Sequence, residues 1–436
     1  MYLTSSINSY SGKEVFMMLR MTSVGELPYP GLDCNNFLKD EAKDFANYRD
    51  WGRIVVEVTS LDYLTFLNFY DDMNIPMDCD SIRRRLCLNL SSPEVEYTYA
   101  ISRVVYKDYY WLETVLSHTY SPKNQYCYSI DGKSAPPFVE KMEKLAECLP
   151  NVIIADQRYH FDSNGHFINY GHFSCSEELV KRKNWKYILW AQNHDLILRT
   201  NQEMSKIIRF LNGSQAIGHK PAQWKRYAVT KYWSVKALAL WKNPEKRSKR
   251  QQEAVLDISQ NYNEVFISRV LLEFVLNEMN YLNVLKELEV PYRPYTDELF
   301  WATLIATEDL ELPGAPKVPY NEWEKWYNPP CKSGFSRHGT CVFGLEYLPM
   351  FSELHQICAN KIMPDFDYGF VKCYGELLHE RTYNRRPFPK SGCYWKRRNI
   401  EWVLDLEGED EQRAELLKAY IPSNQSLKLA QMWELL

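Results

Sequence analysis

Asp297 and Glu298 stand side by side in Tyr295-Thr-Asp-Glu-Leu-Phe-Trp-Ala-Thr303, directly before an aromatic and apolar run. Downstream, Arg337 lies between Cys331 and Cys341, and Lys361 closes the triplet Ala359-Asn360-Lys361. Moving a sugar from a nucleotide to a hydroxyl needs a carboxylate to take the hydroxyl proton and positive charge to hold the departing phosphate. Glu298 is the candidate base, and Arg337 and Lys361 are the candidate counter-charges, arginine as a bidentate fork and lysine as a point charge. Each also has a plainer reading. Acids favour the positive end of a helix dipole, and isolated cations are ordinarily surface residues.

Such residues need a frame that turns them toward one space. Tyr99 to Tyr106 is β-rich, Tyr109 to Tyr120 has helical spacing, and Tyr126 to Ile130 is β-rich again. A helix over about Pro137 to Cys148, a strand at Val152 to Ala155, a helix near Ser174 to Arg182 and a strand at Tyr187 to Ala191 continue the alternation. This order predicts an α/β fold with a mainly parallel sheet flanked by helices. Ligands in such sheets sit beyond the carboxyl ends of the strands, where Asp131 and Asn193-His194-Asp195 fall. One long helix is expected from Ser268 to Leu288, stopped by Pro291 and Pro294 ahead of the acidic motif. Trp241 to Gln252 reads as an exposed basic loop.

Over 436 residues the formal net charge is −4, which gives no field for a polyanion and argues against a nucleic-acid partner. The 31 Tyr and 13 Trp suit either sugar stacking or core packing. Eleven cysteines without a C-x-x-C spacing point to long-range disulfides in an oxidising compartment. Sequons at Asn89, Asn212 and Asn424 fit a secretory route. Met1 to Leu32 shows no apolar run of signal-peptide or membrane-spanning length, so no anchor is visible. No metal site is expected: the strand end Asn193-His194-Asp195 lacks the first acid of an Asp-x-Asp, and Asp78-Cys-Asp80 and Asp365-Phe-Asp367 follow no suitable strand. His172 and His194 read as structural.

The acidic motif, with Val104-Val105-Tyr106-Lys107, Tyr126 to Ser134, Asn184-Trp185-Lys186-Tyr187 and Arg199-Thr200-Asn201, resembles the core-2/I-branching β-1,6-N-acetylglucosaminyltransferases, glycosyltransferase family 14. The resemblance runs from about Cys34 to Cys373. It implies a GT-A type fold and inverting, metal-independent transfer of N-acetylglucosamine from UDP-GlcNAc to a glycan or glycoprotein hydroxyl, in a β-1,6 linkage. Glu298 would be the base, Asp131 would read the uracil, and Val104 and Tyr106 would line the nucleoside pocket. Arg337 and Lys361 would hold the diphosphate in place of a metal. Trp326 and Tyr327 would flank the sugars, with Arg226 and Asp297 on the acceptor side.

Three departures leave alternatives open: tyrosine at position 106 where the family has histidine, a Cys331 to Cys341 loop one residue longer, and loose matches at Asn169 to Phe173 and Trp224 to Tyr227. Another UDP-sugar such as xylose, or a catalytically silent glycan-binding role on the same fold, stays possible on the sequence. The resemblance further implies the disulfides Cys34–Cys373, Cys79–Cys148, Cys127–Cys175 and Cys331–Cys341, leaving Cys87, Cys358 and Cys393 unassigned. It implies a lead-in over residues 1–95, a catalytic domain over 96–380, a C-terminal extension over 381–436, and a Golgi lumen setting reached through a membrane anchor.

Overall fold

The computed structural model describes residues 34, 75–86, 93–314, 324–325, 330–364 and 366–383. All of them fall within 1–389, the first of two units into which the chain divides. Most of the expected lead-in, and the expected extension beyond Tyr383, lie outside the described residues. The last described helix, Tyr368–Tyr383, crosses the boundary expected at 380.

A five-stranded sheet with the order β3-β2-β1-β4-β8 forms the centre. Its strands are β1 (Tyr99–Val105), β2 (Gln125–Ile130), β3 (Val152–Ile154), β4 (Tyr187–Ala191) and β8 (Phe266–Ser268). β1 to β4 are parallel and β8 joins β4 antiparallel. Helices Tyr109–Thr119, Pro136–Cys148 and Ile168–Val180 make the crossovers. Every residue of β1 and β4 is buried, as expected of parallel strands covered on both faces. Trp190 on β4 packs edge-on to Phe173 and Trp301, and Phe173 stacks on Tyr281, so the crossover helix, the sheet and the segment behind the acidic motif share one core. Burying a ring such as Phe173 contributes about 1.5–3 kcal/mol.

Three expected elements are corrected. The helix placed near Ser174 begins at Ile168, directly after Phe167 takes a left-handed backbone (φ 62°). The single helix expected from Ser268 to Leu288 is two, Arg269–Glu278 and Tyr281–Leu288. Met279 leaves the helix to bridge Trp241, and the Asn280 amide donates to Leu240 O at 2.7 Å, so tertiary pairing overrides a helical sequence. The basic run from Trp241 is likewise no plain exposed loop. Trp241 is buried, Arg247 pairs with Glu278 and lies over the Trp241 ring, and a short helix occupies Lys249–Glu253.

Small ladders carry the remaining chain across the sheet's end. β5 (Leu196–Ile197) pairs antiparallel with β12 (Cys358–Ala359), which pairs parallel with β9 (Glu324–Lys325). β6 (Lys220–Pro221) pairs with β7 (Ser259–Gln260), and β10 (Ser336–Arg337) with β11 (Thr340–Cys341). The four disulfides that the family resemblance implies are all bonded. Cys358 is buried and takes part in none of these four bonds; Cys87 and Cys393 lie outside the described residues.

Candidate active site

The carboxyl ends of β1, β2 and β4 open onto a cavity of about 470 Å³, within the range of small-molecule sites. Val104 reaches it from β1, Tyr106 and Asp131 from the residues directly after β1 and β2, and Asn193 and His194 from the turn after β4. Arg337 and Lys361 line the same cavity. The five residues expected on the donor side thus meet in one space, although they span Val104 to Lys361.

Local pairing explains how the two cations arrive. β10 and β11 form a two-residue hairpin whose corner residues His338 and Gly339 both have positive φ (53° and 79°), the geometry of a type I′ turn. The Cys331–Cys341 bond ties this hairpin to its own base, and Arg337 Nη1 lies 4.0 Å from Met363 Sδ. Lys361 follows β12, whose pairing with β5 brings it beside the β4 turn. There Asn360 Nδ2 donates to Asp195 Oδ1 at 2.6 Å, and the Ile362 amide donates to His194 O at 3.1 Å.

Arg103, buried within β1, braces that turn by donating to Gln192 O at 3.0 Å and Asp195 O at 2.9 Å. The Tyr106 amide donates to Asn193 Oδ1 at 2.9 Å, and Trp111 Nε1 donates to Asn193 O at 2.7 Å. His194 Nε2 lies 3.0 Å from Asp108 Oδ2, and Lys107 Nζ is 3.3 Å from the same oxygen. Burial pulls His194 down to about 4, which makes it a neutral ring at physiological pH. Burial pushes Asp195 up to about 6, and its carboxylate is already engaged by Asn360 and the Gln192 amide. Asp78 caps a helix through the Ser81 amide, and Asp367 accepts from the amides of Leu345 and Phe370. Asp365 lies outside the described residues.

His172, by contrast, belongs to the core. It stacks on Trp190 and bonds Ser102 Oγ at 2.8 Å and Asn263 Oδ1 at 3.2 Å, and burial holds its pKa at about 3.

The acidic motif forms a second group. Thr296–Glu298 is a short 3₁₀ turn entered through Tyr295 (φ 58°), and the helix Phe300–Ala306 begins only afterwards, so Glu298 precedes the helix rather than opening it. Glu298 is ion-paired to the buried Arg226, whose guanidinium also lies 4.8 Å from the Tyr295 ring centre. The main chain is held as well, with the Asn261 amide donating to Glu298 O at 3.0 Å. Asp297 presses against Gly165 so closely that a Cβ there would lie 1.8 Å from Asp297 Oδ1, and Gly165 has φ 85°, so only glycine fits. Trp301, in the same motif, is 3% exposed and sits in the core.

Burial raises both acids. For Asp297, burial is compounded by the neighbouring Glu298 charge; for Glu298 it is opposed by Arg226. Of the two, Asp297 is the acid whose surroundings favour the proton, and Glu298, facing Arg226, is the one whose surroundings favour the charge.

Between the two groups runs Asp162–Gly165. Asp162 and Ser163 line the cavity, while Asn164 O accepts the Thr296 amide at 3.3 Å and Gly165 contacts Asp297. This segment was not singled out in the sequence, although Asp-Ser-Asn-Gly is a turn signal. Arg103, Asp108 and His338 were missed too. An arginine inside an otherwise apolar strand was the available clue to the first. Trp326 and Tyr327 lie outside the described residues.

A parallel α/β sheet with cations and an acid at a cavity beyond its strand ends, and a buried acid pair alongside, is the arrangement of a nucleotide-sugar transferase. The sequence model of the Core-2/I-Branching enzyme family matches residues 99–349, more than half of the chain. The chain belongs to this family and is a glycosyltransferase. It is 26% identical over 340 residues to "Beta-1,3-galactosyl-O-glycosyl-glycoprotein beta-1,6-N-acetylglucosaminyltransferase 3" of Ovis aries, covering 71% of this chain and 74% of that protein. To the protein of that name numbered 4 in Danio rerio it is 27% identical over 338 residues, covering 70% and 76%. A Homo sapiens protein of the same name without a number is 24% identical over 418 residues, covering 87% and 92%. Among the described residues no helix is long and apolar enough to cross a membrane.

Proposed function

We propose that this chain transfers N-acetylglucosamine from UDP-GlcNAc to a hydroxyl of an O-linked glycan, with inversion, in a β-1,6 linkage and without a metal. The observation that carries the reading is the convergence of Val104, Tyr106, Asp131, Arg337 and Lys361 on one cavity, whose wall at Asp162 and Ser163 continues into the segment that contacts the turn of Asp297 and Glu298, with Glu298 paired to Arg226. The uracil and ribose would lie against Asp131 and the β1 end, and the diphosphate against Arg337 and Lys361. Glu298 would take the acceptor hydroxyl proton as that oxygen forms its bond to the sugar C1. The C1–O bond to the β-phosphate breaks, and its electron pair leaves on UDP, where the two cations stabilise it. The names of the relatives support the donor sugar and the linkage, and the spread cysteines and their bonds support a secretory setting such as the Golgi lumen.

The test is transfer assayed over a panel of UDP-sugars and O-glycan acceptors, with and without EDTA. UDP-GlcNAc should be preferred and EDTA should leave the rate intact. Arg337→Ala and Lys361→Ala should each slow transfer by about 10²-fold and weaken UDP binding. Preference for UDP-xylose would overturn the donor assignment. Loss of transfer in EDTA, restored by Mn²⁺, would overturn the metal-free mechanism.

A further inference from the structure

His166 is buried at the end of the segment that joins the donor cavity to the acidic turn. Its Nδ1 lies 2.7 Å from Asp162 Oδ2, and its Nε2 lies 2.9 Å from Arg293 O and 3.3 Å from Val290 O. All three partners accept hydrogen bonds. Two are carbonyls, and Asp162 is held in its ionised range while its Oδ1 takes the amides of Asn164 at 2.8 Å and His166 at 3.2 Å. A neutral imidazole carries one N–H and would set a lone pair against a lone pair on one side; an imidazolium satisfies both sides.

What the ring joins is specific. On one side Asp162 and Ser163 line the cavity, Asn164 O receives the Tyr295 and Thr296 amides, and Gly165 backs Asp297. On the other, Val290 and Arg293 lie in the turn that leads into Tyr295. We propose that His166 is a positioning residue: as an imidazolium it clamps the cavity wall at Asp162 to the turn that carries Asp297 and Glu298, and it releases them on losing its proton.

The charged groups facing the ring are Asp162, within its own segment, and Glu289, from the end of the packed helix; the Arg293 guanidinium turns away to the carbonyls of Lys225 and Tyr227. Burial opposes the charged ring, but the bond and charge of Asp162, with Glu289, outweigh it and raise its pKa above the ordinary histidine value. The sign follows from a raised folded-state pKa: the clamp is fully present below the unfolded value and is lost as pH rises through the folded one.

Hydrogen exchange of the full chain reads the clamp without any transfer assay. Protection of the Tyr295 and Thr296 amides, corrected for intrinsic rates, should fall about tenfold between about pH 6 and about pH 8.5. In His166→Gln protection should be low and independent of pH, since an amide neither titrates nor donates in both directions. In Asp162→Asn the loss should move to lower pH, because the charge that holds the proton is gone. Protection unchanged across that range in the wild type, or the same pH dependence in His166→Gln, would overturn the proposal. The positioning role rests on the transferase reading and is checked in the rate. Transfer should decline on the same alkaline limb, and a rate flat across a limb seen by exchange would overturn it. Absence of transfer at every pH with exchange behaving as described would count against the proposed donor and leave the clamp standing.

Discussion

Glu298 and Asp297 share one turn, yet their surroundings separate them. Asp297 is pressed on Gly165 and forms no ion pair among the described residues, whereas Glu298 is paired to Arg226. Burial raises the Glu298 pKa and Arg226 is the largest influence lowering it. As a base it must be ionised, so kcat/KM should fall on the acid side at a pH above the ordinary carboxylate range. Arg226→Ala removes the opposing charge and should shift this limb to higher pH, while also slowing transfer at neutral pH. A limb that stays put in the variant would mean that Arg226 does not tune the base. Folding follows the same sign: with folded-state values above the unfolded ones, ionising the acid pair costs stability as pH rises between them.

The hairpin of β10 and β11 shows at the level of an element why a cation needs a frame. Arg337 ends β10, directly before the His338-Gly339 turn, and the bond between Cys331 and Cys341 closes a separation of only ten residues. So short a loop contributes comparatively little to global stability on the chain-entropy argument. On the proposed reading its consequence lies in holding Arg337 ready, so that UDP binding would not bear the cost of ordering it. Cys341→Ser should therefore raise the Kd for UDP by about tenfold, ~1.4 kcal/mol, with a small change in Tm. Calorimetric titration and a melting curve on the same preparation check this, and an unchanged Kd with a large fall in Tm would reverse the assignment.

Across the whole molecule, the Cys34–Cys373 bond spans a separation of 339 residues, and its loss should lower stability by about 2–5 kcal/mol. Cys34→Ser should lower Tm by several degrees yet leave UDP affinity near wild type, the reverse of Cys341→Ser; a Tm unchanged by Cys34→Ser would remove the bond from the stability of the fold. Legibility in the sequence follows the same division between local and distant causes. The apolar runs of β1 and β4 announced a parallel sheet, because burial on both faces leaves no alternation to misread. Short motifs nominate Glu298, Arg337 and Lys361 as candidates, and Arg337 and Lys361 line one cavity. Hidden were features settled by partners distant in sequence: the helix break at Met279 and Asn280, made by the chain around Trp241; the brace from Arg103 to the β4 turn; and the segment Asp162–Gly165, whose meaning lies in what it touches on each side. That segment lies between the two groups to which the proposed reading gives separate duties, one for the nucleotide and one for the proton. Glu298→Gln distinguishes them most directly, with UDP affinity and transfer measured on the same protein. Transfer should fall by about 10²–10⁴-fold while the Kd for UDP stays within twofold; transfer within about threefold of wild type would contradict the assignment of Glu298 as the base.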